Sequence, residues 1–193
     1  MTASDQRSVI QKLAPAFKIL LPIVIMILII VAGLTLLKNQ QTNHNQGHQP
    51  VEVGSVMPDL VLKKFPDSGS VKLSSLGHKI TLLNFWATWC EACMVEIPSI
   101  LKLRESYKDQ GFDVVFMNVD QNPAAVLPKT LKTLGIDFPV YVDNEGETSD
   151  IFDVHAIPLT AVMDKNRKIL MLESGELDWN GPEVRQKTAG WLK

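Results

Sequence analysis

With 193 residues, 46% of them hydrophobic, the chain holds enough apolar material for one globular domain of ordinary size plus an appendage. A net charge of −2, with dispersed basic residues and no aromatic-basic stripe, gives no basis for a nucleic-acid partner. There are two cysteines, so no third thiol interferes with any exchange that the pair performs.

The appendage comes first. Between Lys18 and Lys38 every residue is uncharged, and residues 19–37 are mostly Ile, Leu, Val and Met. Such a run, at about 1.5 Å per residue, reaches the thickness of a bilayer core. Pro22 falls in the first turn, where a helix tolerates it. A buried helix of a soluble protein would show a polar face, and this run has none. A cleaved signal peptide would have a shorter apolar core and an A-x-A site, which this segment lacks. Residues 19–37 are therefore predicted to be an uncleaved transmembrane anchor. Arg7, Lys12 and Lys18 precede it, and only Lys38 follows before Lys63. The positive-inside bias then leaves residues 1–18 as a cytoplasmic tail and puts the rest on the periplasmic or extracellular side. Disulfides form and persist there.

Residues 38–53 are predicted to be a flexible linker, polar and free of aliphatic side chains from Asn39 to Pro50. His44 and His48 lie in it at i, i+4 spacing, with no helix to present them to a metal. Residues 54–193 then alternate between strand and helix patterns. Val56 to Leu62 and Ser70 to Leu73 suggest short extended pieces around the turn Pro66-Asp67-Ser68-Gly69. Ile80 to Trp86 predicts a strand buried on both faces. Met94 to Lys108 has helical spacing through Val95, Ile97, Leu101, Leu103 and Tyr107, and stops before Gly111. A second buried strand is predicted over Phe112 to Val119, and a helix from Pro123 to Leu134 with Gly135 as its stop. Phe138 to Val142 predicts a strand and Glu147 to Phe152 a short helix. Leu159 to Met163 and Lys168 to Leu172 predict a hairpin around Asp164-Lys165-Asn166-Arg167. Asn180-Gly181-Pro182-Glu183 opens a last helix. This order predicts an α/β domain with a central mixed β-sheet and helices on both faces.

Both cysteines lie where the first buried strand feeds a helix, in Phe85-Trp86-Ala87-Thr88-Trp89-Cys90-Glu91-Ala92-Cys93. Two thiols at C-x-x-C spacing can close into a small disulfide ring and reopen it. Unpaired backbone N–H groups and the positive dipole end at the helix start favour a Cys90 thiolate, the nucleophilic form. Other uses of the pair remain open. A zinc site needs about four ligands, and His44, His48, His78 and His155 are scattered. A purely structural disulfide gains little from so short a loop. Burial of two core cysteines sits poorly with Glu91 between them. Redox exchange accounts for the pattern best, with no metal and no cofactor beyond the dithiol.

Five features together resemble the membrane-anchored TlpA/ResA/CcmG-like thiol-disulfide oxidoreductases, which have the thioredoxin fold. They are Gly54-Ser55-Val56-Met57-Pro58-Asp59; Asn84-Phe85-Trp86-Ala87-Thr88-Trp89-Cys90 with Cys93; Glu96 and Pro98; Ala156-Ile157-Pro158-Leu159-Thr160; and Gly175-Glu176-Leu177-Asp178-Trp179. The resemblance implies a thioredoxin-like fold carried by an N-terminal transmembrane helix. It implies that Pro158 is the family's cis-proline beside the disulfide, leaving the Ile157 backbone to pair with a substrate segment. It also implies that Glu96, one turn beyond Cys93, accepts that thiol's proton, where thioredoxins use an Asp at the position of Asn84. From the residues alone, spacing puts Glu96 on the Cys93 face of the helix, pointing back toward the sheet, with a solvated helix residue as the alternative, and Asn84 is alternatively a satisfied core amide. Trp86 and Trp89 are expected to pack around the disulfide and shape the substrate surface, or to serve as plain core. Many relatives carry proline where Ala92 stands, so their redox potentials do not transfer.

The function expected is that of an extracytoplasmic protein disulfide reductase, with Cys90 attacking and Cys93 resolving. The resemblance implies substrates among exported proteins, such as apocytochrome c or copper-site proteins. It implies a membrane electron donor of the DsbD/CcdA kind. Two rivals use the same thiols. A peroxiredoxin-like peroxidase would need a P-x-x-x-T/S-x-x-C setting that Cys90 lacks. A Cu(I) metallochaperone would use both thiolates, with Met94 nearby as a soft ligand.

Overall fold

The computed structural model describes residues 22–35, 51–67 and 69–193. Two units separate, residues 1–48 and 49–193. In the first, residues 22–35 form helix α1, whose Ile23 to Val31 and Leu34 side chains are all exposed. Among the described residues no helix is long and apolar enough to cross a membrane. The tail 1–18, the ends of the predicted span at 19–21 and 36–37, and the linker up to Pro50 with His44 and His48 lie outside the described residues.

The second unit is built on one seven-stranded sheet in the order β2-β1-β5-β4-β3-β6-β7. Its strands are β1 (Val61–Phe65), β2 (Ser70–Lys72), β3 (Ile80–Trp86), β4 (Phe112–Asn118), β5 (Val140–Val142), β6 (Leu159–Asp164) and β7 (Ile169–Ser174). The central β3, β4 and β5 run parallel, and antiparallel strands complete both sides. This is the mixed sheet expected. All seven residues of β3 are buried, because both faces of the sheet are covered. Successive side chains point to opposite faces, so Leu82 and Trp86 join one core cluster while Leu83 and Phe85 join the other. Asn84 shares the parity of Leu82 and Trp86.

The helices are α2 (Glu91–Tyr107), α3 (Pro123–Leu134), α4 (Glu147–Ile151) and α5 (Pro182–Trp191). Residues of α2, α3 and α5 pack in the Trp86 cluster. The other cluster is closed by Ile151 at the end of α4, by the 3-10 turn Leu73–Leu76, and by Met57 and Leu60. Helical cover is therefore unequal between the two faces. Pro123–Leu134 is as predicted, ended by Gly135 at φ +69, a left-handed conformation that glycine adopts without steric cost.

Several element ends shift by a few residues, α2 starting at Glu91 and β7 running Ile169–Ser174, and three further differences from the sequence reading bear on the site. The first strand is Val61–Phe65 rather than Val56 to Leu62, and Val56 makes an isolated bridge to Lys168. Pairing with β5 through Lys63↔Val142 to Phe65↔Val140 decides that register, and the local apolar pattern does not contain it. β5 begins at Val140 because Pro139 has no N–H to give a ladder. Phe138 instead stacks on Phe116 and lies under the Arg104 guanidinium. In α2 the inward residues are Cys93, Glu96, Ile97, Ile100 and Leu103, while Val95 is 57% exposed. An acidic residue sits in that stripe where an apolar count finds none.

Candidate active site

Because β3, β4 and β5 are parallel, their C-terminal ends share one edge of the sheet, and β6 begins at that edge with Leu159 opposite Phe85. The chain thus brings the segment after Trp86 beside the segment before Leu159. Cys90 is the N-cap of α2, and its Sγ accepts from the Cys93 backbone N–H at 3.2 Å. Cys90 and Cys93 are joined in a disulfide, with Cα atoms 5.3 Å apart. Cys90 is 7% exposed and Cys93 is fully buried, so only the first sulfur is within reach from outside.

The loop entering the helix is clamped by Asp120, just beyond β4. Its carboxylate accepts from the Thr88 amide and hydroxyl at 2.9 and 3.0 Å, and from Asn118 Nδ2 at 2.8 Å. The clamp leaves Trp89 outside, 70% exposed, while Trp86 is fully buried and meets Phe116 edge-on. The two tryptophans therefore divide the roles expected of them jointly. Trp86 is core and Trp89 is surface.

The Ile157–Pro158 peptide bond is cis. The Ile157 carbonyl oxygen lies 3.8 Å from Cys90 Sγ, a contact in the disulfide state, where the sulfur has no proton to donate. Trp89, Val119, Val154, Ala156 and Ile157, with His155 at the side, line an open hollow of about 460 Å³ next to the disulfide. A shallow, mostly apolar hollow against a reactive sulfur suits an extended polypeptide segment.

Glu96 is 1% exposed. It is buried rather than solvated, and it is fully engaged. Oε1 accepts from Asn84 Nδ2 at 2.7 Å, and Oε2 accepts from Trp179 Nε1 at 3.1 Å and from the Leu177 backbone N–H at 3.4 Å. Burial pushes its carboxyl above the usual carboxylate range; the donors from Trp179, Asn84 and Leu177 pull it back, and the neighbouring Glu176 adds to the rise. A base with raised affinity for protons lies closer to a thiol and accepts its proton at lower cost. Glu91, between the cysteines, is exposed.

The raised carboxyl makes a stability prediction. Between the ordinary value of 4.5 and its own higher value, Glu96 is protonated when folded and ionised when unfolded. Stability from this group is therefore present at low pH and falls as pH rises through the folded value. Glu96→Gln is expected to gain stability relative to wild type as pH rises through that window. Urea unfolding of the oxidised protein at graded pH checks this, and a constant difference between the two proteins would refute it.

Cys90, Cys93, Glu96, Trp89, Ile157 and Pro158 thus all lie at one edge of the sheet. Sequence reasoning assigned no role to Trp179, Thr160 or Asp120. Trp179 and Thr160 stand within the quoted Gly175–Trp179 and Ala156–Thr160 segments, but their contacts with Glu96 and Asn84 span 83 and 76 residues. Asp120 carried one signal, an acid directly after a buried strand parallel to the motif strand. Among the described residues no group of three His, Cys, Asp or Glu is placed to hold a metal ion.

The Redoxin family model matches residues 52–188. The thiol-disulfide oxidoreductase ResA of Bacillus subtilis is 32% identical over 131 residues, covering 68% of this chain and 72% of the relative. ResA of Geobacillus kaustophilus is 30% identical over 154 residues, covering 80% and 85%. Among solved structures, a putative thiol:disulfide interchange protein DsbE from Chlorobium tepidum superposes with a TM-score of 0.66 at 29% identity, covering 74% of this chain and 99% of that one.

Proposed function

The chain belongs to the Redoxin family and is a thiol-disulfide oxidoreductase of the ResA and DsbE type, and from that premise we propose that it is a membrane-anchored reductant of exported proteins. The observation that carries the chemistry is the Cys90–Cys93 disulfide at the start of α2, with one sulfur reachable beside Trp89 and Ile157. In the reduced state the Cys90 thiolate attacks one sulfur of a substrate disulfide. The other substrate sulfur leaves and takes up a proton. Cys93 then gives its proton to Glu96 and attacks the Cys90 sulfur, releasing the second substrate thiol. The substrate has gained two electrons and two protons, and this chain ends as the Cys90–Cys93 disulfide. A membrane donor of the DsbD/CcdA kind restores the dithiol.

The anchored, extracytoplasmic placement is supported by the uncharged run 19–37, the exposed apolar side chains of α1, and the basic residues preceding them. Apocytochrome c and copper-site proteins, whose paired cysteines must be reduced before loading, are the substrates proposed. The test uses the full chain in its own cell with Cys93→Ala. Adducts on Cys90 with exported cysteine-pair proteins are expected, together with labelling of Cys90 by a membrane-impermeant thiol reagent. Capture of cytoplasmic proteins alone, without such labelling, would overturn the placement and the substrate class.

A further inference from the structure

The acceptor Glu96 is surrounded by donors, and their chemistry differs. Trp179 Nε1 and the Leu177 backbone nitrogen can only donate. Asn84 is the exception, because its amide presents NH2 on one side and C=O on the other. As placed, Asn84 Nδ2 donates to Glu96 Oε1 at 2.7 Å and to Thr160 Oγ1 at 2.8 Å, and all three side chains are buried. Asn84 Oδ1 is buried without a partner. Turning the amide over would set Oδ1 against Glu96 and Thr160, an arrangement that suits only a protonated Glu96. It would also leave two buried N–H bonds without acceptors instead of one carbonyl oxygen. Orphaned buried N–H groups are the rarer and costlier case. The amide is thereby held in its donating orientation, and Thr160 pins it there by accepting the second hydrogen.

We propose that Asn84, oriented by Thr160, is the positioning residue that holds Glu96 in its proton-accepting form for the resolving step. This rests on the reading of Glu96 as the acceptor of the Cys93 proton. The groups facing the carboxyl are Asn84 from β3, Leu177 and Trp179 from the segment before α5, and the charge of Glu176 in that same segment; Cys93 precedes Glu96 by about one turn of α2. Thr160, on β6, reaches it through Asn84. Burial and Glu176 favour the neutral acid, and the donors oppose them. In the step itself the S–H proton of Cys93 passes to Glu96, the Cys93 sulfur bonds to Cys90, and the substrate thiolate departs. Glu96 then hands its proton to that thiolate. Asn84 donates throughout the acceptor phase and touches no reacting atom.

The experiment mixes the reduced full chain in detergent with a disulfide that releases a coloured thiol at each step. The first release depends on reagent concentration, whereas the second does not and reports resolution. Its rate is followed across the range where carboxyls and thiols titrate. Asn84→Ala and Asn84→Asp are expected to move the acid limb of that profile to higher pH. The rate below the limb should fall about tenfold for each unit of displacement. Asn84→Ala should recover the wild-type rate on the alkaline plateau. Thr160→Val, nearly isosteric, should move the limb the same way by less, and it keeps the test available should the Asn84 variants not fold. A loss by one factor at every pH, or an unmoved limb, would overturn the proposal. Glu96→Gln is the control. It should abolish the limb, and a limb that survives in it would remove Glu96 as the acceptor and the proposal with it.

Discussion

Replacing Cys90 with serine is expected to abolish disulfide reduction completely, while Cys93→Ala should leave the first attack intact and stall the protein as a mixed disulfide. The asymmetry follows from reach. Cys93 is fully buried, so no macromolecular disulfide approaches it, whereas Cys90 keeps 7% exposure at the edge of the sheet. It follows from electronics as well. Cys90 caps α2 and its sulfur already accepts from the Cys93 N–H. A thiolate there keeps that hydrogen bond and gains the positive end of the helix dipole. A serine hydroxyl can occupy the same cap, so the fold survives the substitution, but it cannot form or break a disulfide. The measurement is turnover of a protein disulfide by the full chain, with alkylation at graded pH on the reduced wild type. Residual turnover in Cys90→Ser would move the nucleophile elsewhere. A Cys90 that titrates as a free thiol would remove the account of its activation.

Trp179→Ala is expected to destabilise the folded domain by about 3–5 kcal/mol. That is a large share of the roughly 5–15 kcal/mol that holds an ordinary domain together. Trp179 is fully buried among the residues that pack around Trp86, Cys93 and Ile97. Its backbone N–H donates to Ser99 Oγ at 2.9 Å and its indole to Glu96 at 3.1 Å, so it ties the segment before α5 to the middle of α2. Alanine opens a cavity and also takes a donor from a buried carboxylate, which then favours its neutral form. Trp179→Phe separates the two effects. It fills most of the volume, costs less stability, and should still move the resolving step to higher pH. Urea unfolding followed by far-ultraviolet circular dichroism gives the first quantity, and the pH–rate profile gives the second. Near-equal stability of the alanine variant and wild type would show that the tryptophan is not structural.

The motif was legible because its information is local. Four residues set the cysteine spacing, a run of apolar residues marks the strand before it, and the periodic pattern after it marks the helix. Pro123–Leu134 was legible for the same reason, with proline and glycine at its two ends. β1 was displaced because strand pairing, not local pattern, chooses its register with β5. The inward face of α2 was misjudged at Val95, which an apolar count puts inside, whereas the spacing from Cys93 put Glu96 on the face toward the sheet, where it lies. Trp86 and Trp89 look alike in sequence. The Asp120 clamp on Thr88 helps set one inside and the other outside.

Composition and spacing alone settled that this chain makes an α/β domain with a redox-active cysteine pair at a strand-to-helix junction, because turn residues, periodicity and thiol spacing act over a few neighbours. Only the folded sheet decided which sulfur is reachable, that Glu96 is buried, and that Asn84, Thr160 and Trp179 form the network around it. The contacts of Thr160 with Asn84 and of Trp179 with Glu96 span 76 and 83 residues. Contacts of that range are set by which strands pair and in which register, and no local preference encodes them.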